Sequence, residues 1–75
     1  MLNDKLVLSQ AKQLADRLRD HSDTLARQLE RAYEILFGRQ PRAAEADLLV
    51  PFARDHGLEK LCLLLLNSNE FMFVD

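Results

Sequence analysis

The sequence predicts an all-α fold, a small bundle of four helices followed by a short irregular C-terminal tail. Three observations carry that prediction. Apolar residues recur every three or four positions along most of the 75 residues, which is the period of a helix with one buried stripe. Of the two glycines and two prolines, Gly38, Pro41 and Gly57 fall where those periodic runs stop, and only Pro51 interrupts one. Six consecutive apolar residues, Leu61 to Leu66, would give a helix without a polar face, so other elements must surround it. No segment of alternating strand period is longer than the last five residues.

The first helix is expected over about 4–19. Asn3 and Asp4 are both good N-cap residues, and Leu6, Val7, Ala11, Leu14, Ala15 and Leu18 form the inward stripe. Asp20-His21-Ser22-Asp23 is a polar break in which Asp23 is placed to accept from the free amides of the next helix. That second helix spans about 24–37. Leu25, Leu29, Ala32 and Leu36 face inward, widened by Tyr33, Ile35 and Phe37, with Gly38 in the position of a left-handed C-cap.

Gly38-Arg39-Gln40-Pro41-Arg42 is the one compact loop signal. The third helix, about 42–56, begins beyond it, with Glu45 in the first turn where a carboxylate favours the positive end of the helix dipole. Leu48, Leu49, Phe52 and Ala53 point inward. Pro51 removes a backbone donor and crowds the carbonyl of Asp47, which predicts a kink or a break. The fourth helix, about 58–67, holds the leucine run and is the expected centre of the core. Asn67-Ser68-Asn69-Glu70 then reads as a turn, letting Phe71 and Phe73 fold back on the earlier helices.

Composition limits what such a domain does. One domain of this length is near the lower limit for a single unstapled core. Ten Lys and Arg against twelve Asp and Glu give a net charge of -2, so no long-range field draws phosphates, and nucleic acid is disfavoured. The single cysteine excludes an internal disulfide and any multi-cysteine metal site. No stretch reaches the roughly 18–20 apolar residues of a membrane span, and the first residues lack the order of a signal peptide.

Several segments resemble the C-terminal end of the planctomycete PSD domain. They are Arg31-Ala32-Tyr33-Glu34-Ile35-Leu36-Phe37-Gly38-Arg39-Gln40-Pro41, the acidic turn ending in Glu45, the Leu65-Leu66-Asn67-Ser68-Asn69-Glu70-Phe71 ending, and the opening Leu2-Asn3-Asp4 through Val7. The resemblance covers nearly the whole chain, and the Leu-Leu-Asn-Ser-Asn-Glu-Phe ending is its most specific part. It implies a domain of unknown function at the end of large proteins that often carry a cytochrome-c-like segment, and hence an exported, periplasmic or cell-surface, parent. The chain departs from the family at Arg42 and Ala43, which replace a Ser or Thr cap and a second proline, and at Lys5, which replaces a proline. The capping box before Glu45 thus lacks its first member.

The candidate site residues are Arg39, Glu45, Asn67, Asn69, Glu70, Phe71 and Phe73, all read as structural or interaction residues rather than catalytic ones. Arg39 either bonds the last carbonyls of the second helix or forks onto Glu45 or Glu70, tying loop to tail. One carboxylate among Asn67, Ser68, Asn69 and Glu70 is too few for a calcium site. Cys62, within the leucine run, reads as a small buried hydrophobe, because a reactive thiolate needs a cation or a helix N-terminus beside it. His21 and His56 are 35 residues apart and show no metal spacing. The acid pairs Asp16/Asp20 and Glu30/Glu34 lie on outer faces, which do not supply the desolvated carboxylate that general acid work requires.

These residues favour a non-enzymatic helical module without cofactors, the terminal piece of a larger domain, packing on the remainder of its parent or on a copy of itself. A helix-turn-helix nucleic-acid binder is the alternative, although its recognition helix would start with Glu45 and Asp47 and contain Pro51. A second alternative is a fragment of an enzyme whose site lies in absent domains.

Overall fold

The computed structural model describes residues 4–72, with side chains described over 4–68. Four helices follow one another in that range: α1 (Lys5–His21), α2 (Leu25–Phe37), α3 (Ala43–His56) and α4 (Leu58–Met72). All-α architecture and helix number agree with the sequence-based expectation.

Local chemistry sets each boundary. Asp4 caps α1, its Oδ1 accepting from the Val7 amide at 2.9 Å, and the Ser22 amide donates to the Leu18 carbonyl at 3.1 Å to close the other end. The expected cap of α2 was Asp23, but Thr24 does the capping, its hydroxyl accepting from the Arg27 amide at 3.3 Å. The cause is a tight turn in which the Thr24 amide donates to Ser22 Oγ at 3.2 Å, so that Thr24 is the last extended residue before the helix. At Gly38, φ of 69° and ψ of 21° form a left-handed cap, and its amide donates to the Tyr33 and Glu34 carbonyls.

Pro51 does not divide α3, which runs unbroken from Ala43 to His56. Pro51 and Asp47 are both exposed, so the carbonyl deprived of its donor lies on the water side, where the loss is least costly. The fourth helix also passes the expected stop near residue 67 and continues to Met72. Asn67 Nδ2 donates to the Leu63 carbonyl at 2.9 Å and Ser68 Oγ to the Leu64 carbonyl at 3.0 Å. Those side chains bond back one turn along a helix that continues, instead of turning the chain.

The core consists of Ala11, Leu14, Ala15 and Leu18 from α1, Leu29, Ala32 and Tyr33 from α2, Leu49 and Ala53 from α3, and Leu58, Leu61, Cys62, Leu63 and Leu65 from α4. Leu61 and Cys62 have no exposed surface. Both α2 and α4 touch all three other helices, whereas α1 and α3 do not touch each other among the described residues. The leucine run is therefore enclosed as its sequence requires, on the short diagonal of the bundle. The radius of gyration of 11.5 Å is close to the roughly 11 Å expected of a packed domain this long.

Three apolar residues assigned inward face solvent instead. Leu6 is 67% exposed, Leu48 71% and Ile35 36%. One step along a helix is a rotation of about 100°, so Leu48, beside buried Leu49, lies outside the narrow arc that α3 buries. In the other direction, Gln28 is buried among apolar residues, its Nε2 donating to the Ser22 carbonyl at 2.6 Å. This bond ties α2 to the preceding turn. Among the described residues no buried side-chain nitrogen or oxygen lacks a partner.

Candidate functional site

The densest polar contacts lie where α2, its following loop and α3 meet. Gly38 reverses the chain at the end of α2, which brings Arg39 back over the helix it has just left. The Arg39 guanidinium carbon is 5.2 Å from the Tyr33 ring centroid and 6.0 Å from that of Phe37. The two rings are themselves 4.9 Å apart at 60°. From this platform Arg39 Nη1 donates to Glu45 Oε1 at 2.9 Å and Nη2 to Oε2 at 3.1 Å, a planar fork onto a carboxylate.

Glu45 has two further donors. Its Oε1 accepts from the Arg42 amide at 2.8 Å and its Oε2 from the Tyr33 hydroxyl at 3.1 Å. Only the glutamate half of a capping box forms, since an arginine side chain at the N-cap has no acceptor to offer in return. The Arg39 fork, together with the Arg42 amide, lowers the Glu45 carboxyl to about 2. Burial, with the neighbouring carboxylate, raises the Tyr33 hydroxyl, and the bond to Glu45 raises Arg39.

This arrangement holds protons fast. A carboxylate with four donors is a poor base, and a guanidinium bound to it is no acid. The Arg39 and Glu45 side chains retain 38% and 30% of their exposure, so the fork lies at the surface and closes the loop over the end of the core. Tyr33 is the member that sequence reading assigned only to the apolar stripe. The available signal was its hydroxyl, which a buried tyrosine must give a partner.

The remaining candidates do not join this cluster. Asn67 lies in α4 with its amide on the Leu63 carbonyl. The side chains of Asn69, Glu70 and Phe71 lie outside the described side chains and Phe73 outside the described residues, as do the fold-back of the two phenylalanines and any Arg39–Glu70 contact. Cys62 is fully buried, and burial pushes its thiol up to about 12. That places it far from the thiolate form that attacks or ligates. Among the described residues no three His, Cys, Asp or Glu side chains group to hold a metal, and no helix is long and apolar enough to cross a membrane.

Another surface feature among the described residues stands apart from the cluster. A groove of about 680 Å³ runs between α1 and the start of α4. Leu8, Ala11, Leu58 and Leu63 line its apolar part, and Lys12, Arg19, Glu59 and Lys60 its polar part, with His56 at one end. Leu8 remains 45% exposed there.

Comparison with known proteins gives one family. Residues 1–53 match the family model PSD1, described as protein of unknown function (DUF1553). The match takes in α1, α2, the Arg39–Glu45 cluster and most of α3, while the leucine run and the Asn67-Ser68-Asn69 ending lie beyond it. Searches among curated proteins and solved structures find no match.

Proposed function

The chain belongs to the PSD1 family of proteins of unknown function, and on that premise we propose that it is a non-enzymatic helical packing module, the C-terminal part of a larger planctomycete-type protein. The observation that carries this reading is the surface. A bundle able to enclose Leu61 and Cys62 completely leaves Leu6, Leu8 and Leu48 in water. Covering Leu6 and Leu48, 67% and 71% exposed, is what docking on a partner would gain. The polar cluster supports it too, because a carboxylate saturated with donors fixes a loop and offers nothing to a reacting group.

The test is light scattering on the chain alone and on the chain mixed with the region that precedes it in a longer PSD1-family protein. A mass above that of the single chain in at least one sample is expected, lost on Leu6→Ser/Leu48→Ser while the thermal midpoint holds. Single chains in both samples would overturn the reading.

A further inference from the structure

Two exposed features of the chain are complementary to each other, and their apolar centres lie on different helices. The first is the groove between α1 and α4. Its apolar part includes half-exposed Leu8, and Lys12, Arg19 and Lys60 against Glu59 and the Arg19 partner Asp16 leave a local surplus of one positive charge on a chain whose net charge is -2. Arg19 also bonds Asp16 at 3.1 Å, so Lys12 and Lys60 are the cations that most directly meet an incoming group.

The second feature is the outer face of α3. Ala44, Leu48, Pro51 and Asp55 recur at intervals of four, three and four, which makes one stripe on a helix, and all four are exposed. Leu48 is its centre at 71% exposure; Asp47 and Arg54, seven residues apart, share one edge and Asp55 closes the end, a net surplus of one negative charge. The stripe is thus apolar with a small negative surplus, whereas the groove is apolar with lysines at its margin.

No Cα of α1 lies within 8 Å of one of α3 among the described residues, and α3 reaches the groove only through its last residue, His56, about two turns beyond Leu48. The Leu48 end of the stripe therefore has no path to Leu8 and Lys12 of its own chain. Deepening the packing-module reading, on which the inference rests, we propose that the occupant of the α1/α4 groove is the α3 stripe of a second copy, with Leu48 of one chain against Leu8 of the next and Asp47 toward Lys12 or Lys60. The contact joins two different surfaces, so each chain offers one groove and one stripe, and assembly extends head to tail into a ring or a short filament.

Two variants test this, each altering one surface and leaving the core untouched. Lys12→Gln/Lys60→Gln removes the groove's cations without adding acids and keeps the stripe; Asp47→Asn/Leu48→Ser removes the stripe and keeps the groove. Wild type is expected to show mass that rises with concentration and falls with added salt, and each variant to remain a single chain while melting as wild type does, its association weakened about tenfold or more. Mixed together, the two variants are expected to form a dimer that grows no further, because only one groove and one stripe remain in each pair. Wild type that never associates, variants that associate like wild type, or a mixture that stays monomeric would each overturn the head-to-tail contact. Wild-type association with a monomeric mixture would leave the packing-module reading standing, and monomers even with the preceding family region would remove both.

Discussion

Arg39 and Glu45 are joined by two parallel hydrogen bonds of 2.9 and 3.1 Å that span the loop between α2 and α3. Six residues apart in sequence, they take the place of the missing side-chain cap at Arg42 and fix the angle at which α3 leaves the loop. The fork needs only Gly38 to turn the chain back.

Arg39→Lys keeps the charge and loses the fork, since an ammonium cannot present two coplanar donors. Its thermal midpoint is expected to fall by a few degrees, and Glu45→Gln to fall further, because Glu45 also serves Tyr33 and the Arg42 amide. Melts of the two variants that overlay wild type would show that the fork merely decorates the surface.

The Glu45 carboxyl is held at about 2 in the folded chain, below its ordinary 4.5. A depressed folded value means stability that is fully present above about pH 4.5 and is lost as pH falls from there through about 2. The gap in stability between wild type and Glu45→Gln is therefore expected to close across that window, and a gap unchanged down to pH 2 would contradict it. Tyr33 has the opposite sign: raised above 10.0, it contributes stability at neutral pH that is lost as pH rises beyond that value. Tyr33→Phe should flatten the alkaline limb.

The turn before α2 separates two adjacent residues. Thr24→Ala removes the hydroxyl that accepts from the Arg27 amide and is expected to cost about 0.5–2 kcal/mol, whereas Asp23→Ala should cost clearly less. Urea midpoints that rank the two in reverse order would restore Asp23 as the cap.

Pro51 leaves the Asp47 carbonyl without a helical partner inside an unbroken helix. Alanine there restores the donor and loses only the stiffening of the unfolded chain, so Pro51→Ala is expected to stabilise by about 1–3 kcal/mol. A lower midpoint would mean that the ring itself is packed against something.

Much of this was legible in the residues. Gly38 directly after Phe37 and Asp4 before the first apolar stripe each dictated a cap with its geometry, and the run Leu61 to Leu66 could only be interior. What escaped depends on neighbours. Whether Leu6 or Leu48 lies inside is a matter of one 100° step, decided by how wide an arc the packing partners cover. Asn67 and Ser68 bond backward equally well in a turn or in a helix, and the carbonyls of Leu63 and Leu64 happened to be in a helix. Glu45 was recognisable as a first-turn acid and Arg39 as a possible fork. Tyr33 was not recognisable as the third partner, because only the fold brings its hydroxyl across twelve residues to the same carboxylate.

The central claim is that the leucine run of α4 is enclosed by the other three helices. Chemical denaturation of Leu61→Ala beside Leu48→Ala tests it most directly, the first residue fully buried and the second 71% exposed. Leu61→Ala is expected to lose about 2–5 kcal/mol and Leu48→Ala to remain within about 0.5 kcal/mol of wild type. Equal and small losses at the two positions would mean that the run is not enclosed.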